Sequence, residues 1–126
     1  MEDITSRLFG DTQVLTFQEA AEFVCKIESQ LNGESIYKEL YQEFLKAAYE
    51  CATIRAQWHF MALEEQAEND TYRSSLHNSF IDACNILSRY MSNKGVDSTW
   101  KDRLGDRRKI GDFACYVTAI TCIWER

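Results

Sequence analysis

Apolar side chains recur at steps of three and four residues along most of the chain. Between residues 35 and 65 this spacing is shared by Ile36, Leu40, Phe44, Ala47, Cys51, Ile54, Trp58 and Met61. Such a pattern keeps one face of an α-helix apolar. From Gly33 to Gly95 no other glycine occurs, and the chain contains no proline, so the residues that most often end helices are missing. The pattern therefore predicts long helices.

The same spacing predicts four main helices, at residues 16–32, 35–66, 71–93 and 98–125, with the last one interrupted near Gly105. Thr16 and Glu19 have the spacing of a capping box, and Asp106 is expected to cap the restarted helix. Apolar residues within the first fifteen predict a short N-terminal helical segment packed on the body. Short connections favour antiparallel neighbours, which predicts an all-α fold, an antiparallel up-down-up-down four-helix bundle, with residues 1–126 as one domain.

The apolar stripes also predict which residues are central and which face is left over. The expected core comprises Leu40, Phe44, Ile54, Trp58, Phe80, Leu87, Phe113, Val117 and Ile120. The last helix is apolar on nearly all sides, which is typical of a helix that is central or that meets a partner. The surplus face carries Cys115, Tyr116, Ala119 and Cys122. We expect either the N-terminal segment or another protein to cover it.

Composition narrows the class of protein. The chain has 20 acidic and 14 basic residues, a net charge of −6, which disfavours general binding to nucleic acids and to anionic lipid. No apolar stretch is long enough to cross a bilayer, and the first residues lack a signal sequence, so no membrane partner is expected. The five cysteines are scattered among apolar residues, as buried thiols are in a reducing compartment. These features predict a cytoplasmic protein, and no cofactor motif is visible.

A basic cluster surrounds Gly105 within this acidic chain. It consists of Arg103, Arg107, Arg108 and Lys109, with Asp102, Asp106 and Asp112 interleaved. A helix start there presents several donors to a phosphate or to an acidic partner. The alternative is that these cations pair with carboxylates inside the protein or between subunits.

Three acidic residues are the strongest enzymatic candidate. Glu64, Glu65 and Glu68 are expected near the C-terminal end of the second helix, where their carboxylates can converge on Mg²⁺. Together with Asp82 on the third helix they resemble, in part, the metal-binding pattern of the all-helical nucleotide pyrophosphohydrolases. In that pattern a fourth glutamate is expected at the position of Ser79. The other interpretation is a solvated helix end.

Two histidines lie within apolar flanks. Arg55 and His59 on the second helix are a polar pair that can mark a pocket, and His77 is placed similarly on the third helix. A lone histidine in such a setting is more often a packing residue than a ligand or a base. No Glu-x-x-His pair and no glycine-rich phosphate loop occur in the sequence.

These observations favour a binding or regulatory protein that acts by contacting a protein partner or a second copy of itself, because no catalytic constellation is evident. A nucleic-acid-directed protein is the first alternative, either through an anion site at residues 103–109 or through an acidic surface that mimics nucleic acid. A Mg²⁺-dependent nucleotide pyrophosphohydrolase is the second alternative. We therefore do not expect an enzyme.

Overall fold

The computed structural model describes residues 15–31 and 34–124, with side chains up to residue 121. Four α-helices follow one another: α1 (Phe17–Glu28), α2 (Ser35–Trp58), α3 (Leu63–Asn93) and α4 (Arg107–Trp124), with a 3₁₀-helix (Thr99–Arg103) before α4. No strand occurs in this part of the chain. The predicted all-α class is thereby confirmed. The predicted N-terminal helical segment lies outside the described residues.

Side chains cap two of these helices as the sequence predicts. The Thr16 hydroxyl accepts a hydrogen bond from the Glu19 amide at 3.1 Å, and the Glu19 carboxylate accepts one from the Thr16 amide at 3.2 Å. Asp106 accepts from the Lys109 amide at 2.8 Å at the start of α4. Each bond satisfies a first-turn N–H that has no partner within its helix. The fourth predicted helix is accordingly interrupted near Gly105.

The boundary between the second and third helices was predicted in the wrong place. Helix α2 ends at Trp58 instead of residue 66, and α3 already begins at Leu63. Glu64 and Glu65 therefore occupy the first turn of α3, where negative charge interacts favourably with the helix dipole. The Glu65 carboxylate accepts a hydrogen bond from the Ala62 amide at 3.3 Å. The polar stretch looked like a turn because an exposed helical turn needs no apolar residue.

Helix α3 ends at a glycine. Gly95 has φ 76°, a left-handed conformation that glycine adopts without steric cost. The Gly95 amide donates to the Ser92 carbonyl at 3.0 Å, and the Val96 amide donates to the Met91 carbonyl at 2.9 Å. This is the Schellman pattern, and it turns the chain towards the 3₁₀-helix.

Aromatic side chains from different elements meet in the core around Phe44. Its ring centroid lies 5.5 Å from that of Phe80, 6.0 Å from that of Phe113 and 6.2 Å from that of Trp100. Edge-to-face and tilted arrangements at these distances are favourable for aromatic pairs. The buried apolar side chains in the described part of the protein form one cluster, apart from Ile54. Helix α2 therefore packs against α3, α4 and the 3₁₀-helix at the same point.

Seven of the nine predicted core residues are buried, namely Phe44, Ile54, Phe80, Leu87, Phe113, Val117 and Ile120. The prediction was wrong for Leu40 and Trp58, which are only partly buried. Leu40 borders a surface groove, and Trp58 ends its helix with its ring against Arg73. Trp100 is fully buried but was not predicted in the core, because a short 3₁₀-helix shows no apolar periodicity.

Contacts between elements are unequal. Helix α2 contacts both α3 and α4 extensively, whereas α1 packs mainly on α4. The Phe17 and Tyr116 rings meet edge to face at 5.6 Å, and Phe23 meets Phe113 at 6.1 Å. None of the described helices is both long and apolar enough to cross a bilayer.

Candidate functional site

Arginines from three helices line one surface pocket of about 280 Å³. Arg55 comes from the last turn of α2, Arg73 from α3, and Arg107 and Arg108 from the first turn of α4. The rest of the lining is formed by Cys51, Ile54, His77 and Gly111. Guanidinium groups present several N–H donors in a planar fork, which matches phosphate and carboxylate oxygens. The pocket is therefore a candidate anion-binding site.

The two arginines of the first turn of α4 are the pocket arginines whose charge is not neutralised by a paired carboxylate within the described part of the chain. Neither Arg107 nor Arg108 forms an ion pair with any carboxylate in the described ranges. The Asp106 carboxylate is beside them but accepts the Lys109 amide as the helix cap. Two guanidinium groups thus adjoin a helix N-terminus, whose partial positive charge also favours anions.

The Arg55 side chain lies against α4, where it pairs with Asp112 and packs on Gly111, which has no side chain. Its Nη2 lies 2.6 Å from Asp112 Oδ1. A Cβ added to Gly111 would overlap the Arg55 guanidinium and would lie 3.2 Å from Arg55 Cζ. Glycine costs an α-helix interior about 1 kcal/mol relative to alanine. At this position it allows the guanidinium of α2 to lie directly on the backbone of α4.

Arg73 of the pocket lining has two contacts of its own. Its Cζ lies 4.2 Å from the centre of the Trp58 ring, and its Nη2 lies 2.9 Å from Asp70 Oδ1. The Arg73 Nε atom is buried and has no hydrogen-bond partner in the described part of the protein. The stacking on Trp58 and the ion pair with Asp70 therefore leave the Nε–H of Arg73 without a partner among the described residues.

His77 lines the pocket from α3 and is 9% exposed. Its Nε2 lies 3.0 Å from the Arg107 carbonyl oxygen. Burial, together with the guanidinium groups of Arg107, Arg73 and Arg55, lowers the pKa of His77. The neighbouring Cys51 thiol is also buried, and this burial raises its pKa to about 11, so it is a protonated thiol.

Unpartnered buried nitrogens concentrate at this pocket. Among the described residues three buried side-chain nitrogens lack a hydrogen-bond partner: Arg73 Nε, His77 Nδ1 and Trp100 Nε1. The first two belong to pocket-lining residues. Most buried polar atoms in proteins are hydrogen-bonded, so two exceptions at one place distinguish this pocket from the rest of the described core.

The structure separates the predicted basic cluster. Arg107 and Arg108 enter the pocket, whereas Arg103 Nη2 pairs with Glu19 Oε2 at 2.6 Å. Lys109 is 3% exposed, and its amide bonds to the Asp106 cap. Internal pairing is thus observed for Arg103, whereas Arg107 and Arg108 stay candidates for an anion site.

The sequence showed only part of this site. Arg55 and His77 lie on the flanks of two different predicted helices, and nothing in the sequence indicates that they meet Arg107. A glycine at position 111 inside a strongly helical stretch was an available signal, because such a residue often marks a close approach of another group. His59, which was predicted to accompany Arg55, is exposed and does not line the pocket.

The predicted surplus face of α4 is partly covered by α1. Tyr116 contacts Phe17, and Cys115 is partly buried, whereas Ala119 is exposed. The Cys122 side chain lies outside the described part. Helix α1 therefore covers part of this face of α4.

The acidic residues do not converge as a metal site would require. Glu68 and Asp82 lie on the same helix, α3, fourteen residues or about 21 Å apart along its axis. Their predicted placement on two facing helices was wrong. Asp82 instead lines a groove of about 400 Å³ between α2 and α3, beside Glu43, Lys46 and Glu50. In the ranges described, no three acidic, cysteine or histidine side chains are grouped to hold a metal ion.

Comparison with known proteins gives no relative from which to transfer a function. No protein-family model matches the chain, and neither the curated proteins nor the solved structures contain a match.

Proposed function

We propose that this protein is a binding protein that recognises an anionic group, a phosphate or a carboxylate, on a protein partner through the arginine pocket. The convergence of Arg55, Arg73, Arg107 and Arg108 carries the proposal. Two carboxylates, Asp70 and Asp112, pair with members of this set. Four guanidinium groups against two carboxylates leave an excess of two positive charges.

The charge distribution favours a single anionic group over a polyanion. The chain as a whole carries −6, so a nucleic-acid backbone would be repelled by most of the surface. A confined pocket of about 280 Å³ accommodates one phosphate or carboxylate group. A nucleic-acid partner is the alternative.

Two exposed apolar side chains support a protein partner. Phe60, in the connection between α2 and α3, is 91% exposed, and Leu63, the first residue of α3, is 83% exposed. This connection directly follows Trp58, whose ring packs against Arg73 of the pocket. An interface with a charged anchor and adjacent apolar contacts is typical of protein recognition. We expect the partner to carry an apolar side chain near its anionic group.

The arrangement of the helices and the location of the protein are part of the same proposal. Glu34 precedes α2 and bonds to Tyr90 near the end of α3, while Trp58 at the end of α2 accepts a bond from Gln66 near the start of α3. These contacts favour antiparallel neighbours and an up-down-up-down bundle. Cys25, Cys51, Cys84 and Cys115 are free thiols, which favours a reducing cytoplasm.

The proposal is tested by titrating the full chain with inorganic phosphate at constant ionic strength and following backbone amide resonances. We expect shifts at residues 107–111 and an affinity that falls about tenfold or more when Arg107→Gln and Arg108→Gln are combined, because charge-assisted hydrogen bonds are lost. Arg103→Gln is the matched control, since Arg103 pairs with Glu19 outside the pocket.

A second arm of the same titration separates the partner classes. Phe60→Ala combined with Leu63→Ala should lower the affinity for a phosphorylated peptide that contains apolar residues. The affinity for inorganic phosphate should stay unchanged. Failure of phosphate to perturb the pocket resonances would refute the anion site. If a single-stranded oligonucleotide binds more tightly than the peptide, and this binding depends on Arg107 and Arg108, the partner is a nucleic acid and not a protein.

A further inference from the structure

Among the polar side chains that line the arginine pocket, one can act as a strong hydrogen-bond acceptor and the others mainly donate. All four guanidinium groups can only donate, because guanidinium has no accepting nitrogen. The Cys51 thiol, which is protonated, is a weak donor and a weak acceptor. The remaining polar side chain in the lining is His77. Its protonation pattern therefore decides whether the pocket accepts only fully deprotonated anions.

The contact to Arg107 fixes the tautomer of His77. A carbonyl oxygen can only accept, so the Nε2 atom that lies 3.0 Å from the Arg107 oxygen carries the hydrogen. In the neutral ring Nδ1 then has a free lone pair, and this atom is buried and without a partner in the described part of the chain. The charged groups that act on the ring are cations: Arg107 from α4, Arg73 from α3 and Arg55 from α2. These cations and the burial favour the neutral ring.

We propose that the pocket selects a phosphate monoester that carries one proton, whose P–O–H group donates to His77 Nδ1 while its anionic oxygens accept from the guanidinium groups. This inference rests on the proposed anion-binding function and names its ligand. A sulfate ester has no acidic proton at neutral pH, and a phosphodiester has none either. In the same position, a sulfate ester or a phosphodiester would place an oxygen lone pair against the Nδ1 lone pair. Two acceptors repel each other, so these ligands bind more weakly.

The same geometry couples binding to one proton. The second pKa of a phosphate monoester is about 6, so at higher pH the free ligand is mostly a dianion. The complex contains one proton between the phosphate oxygen and His77 Nδ1, whichever atom holds it. Binding above pH 7 therefore takes up one proton, and the affinity falls towards tenfold per pH unit.

The test compares three small probes on the full chain at pH 7 and constant ionic strength by calorimetry: methyl phosphate, methyl sulfate and dimethyl phosphate. We expect methyl phosphate to bind about tenfold or more tightly than the other two, since a site built to bond a hydroxyl rejects analogues that lack it. Equal affinity for methyl phosphate and methyl sulfate would overturn the inference but leave the anion-binding function intact. No binding of any probe would overturn both.

A variant isolates the acceptor. His77→Gln places an amide nitrogen where Nε2 lies and can still donate to the Arg107 carbonyl, but it has no acceptor at the δ position. We expect the preference for methyl phosphate over methyl sulfate to fall to within about twofold and the pH dependence to disappear. His59→Gln, at an exposed position outside the pocket, is the control.

Two results of the variant experiment contradict the inference. One is a His77→Gln protein that keeps the wild-type preference, and the other is a wild-type affinity for methyl phosphate that is constant from pH 7 to pH 8.5. The second measurement needs no variant, so it decides the matter even where His77→Gln fails to fold.

Discussion

Gly111 of α4 lies directly beneath the guanidinium group of Arg55 of α2, at a distance that leaves no room for a Cβ atom. The two residues are 56 positions apart in the chain. This approach allows the Arg55 guanidinium to reach Asp112 and to share one pocket with Arg107 and Arg108. Position 111 lies inside a helix, where alanine is more favourable than glycine, but glycine occupies it beside the candidate site.

Gly111→Ala should separate stability from binding. Alanine is about 1 kcal/mol more favourable than glycine inside a helix, and the obstructing group is the far end of a flexible side chain. We expect the free energy of unfolding in urea to stay unchanged or to rise by up to about 1 kcal/mol. The affinity for inorganic phosphate should nevertheless fall several-fold, because the Arg55 guanidinium is displaced.

Gly105→Ala is the matched control for that experiment. A Cβ at Gly105 meets no atom within 4 Å, and the residue lies before α4 and outside the pocket lining. Its phosphate affinity should equal that of the wild type. A Gly111→Ala protein that binds phosphate as tightly as the wild type would show that Arg55 takes no part in anion recognition.

Phe80→Ala should test the packing of the core. Phe80 is fully buried against Phe44 and Phe113, with ring centroids 5.5 Å and 6.1 Å away. Removing a buried phenyl ring loses its transfer free energy and leaves a cavity, so we expect a loss of about 3 to 5 kcal/mol in the free energy of unfolding.

Phe60→Ala makes the same chemical change at a surface position. Phe60 is almost fully exposed, and its replacement should alter stability by less than about 0.5 kcal/mol. Denaturant unfolding of the two variants side by side is the measurement. Similar stabilities for both variants would contradict the described core.

Asp97 should make the protein sensitive to acid. Its carboxylate accepts from the Thr99 hydroxyl at 2.6 Å and from the Thr99 amide at 2.9 Å, and it pairs with Lys26 at 3.0 Å. The Thr99 bonds first, and Lys26 next, hold the pKa of Asp97 well below its ordinary value of 3.8. Because this pKa is lowered in the folded protein, the stabilisation is present above about pH 4 and is lost as the pH falls below it.

The corresponding measurement compares wild type and Asp97→Asn in urea between pH 7 and pH 2.5. The stability difference should be constant above pH 5 and should shrink below pH 4. Asp102→Asn is the control, because Asp102 is exposed on the 3₁₀-helix and forms no ion pair in the described ranges. A difference that does not change with pH would refute the assignment to the Asp97 carboxylate.

Local patterns were sufficient for much of the helical structure. The Thr16–Glu19 capping box, the Asp106 cap and the stripe through Phe44 and Ile54 each depend on residues three or four positions apart. These interactions form within one helix, so their spacing is visible in the sequence. The boundary at residues 59–62 was missed because the apolar spacing of α2 continues to Met61. The polar stretch after it suits an exposed helical turn as well as a loop.

The candidate site depended on contacts between distant parts of the chain. The sequence by itself determined that the protein is helical, which residues face a core, and that arginines cluster after Gly105. Only the tertiary structure decided that Arg107 and Arg108 join Arg55, Arg73 and His77, while Arg103 pairs with Glu19. The physical reason is that helical periodicity fixes which face of a helix is buried, whereas the packing of the helices fixes which polar side chains meet at their ends.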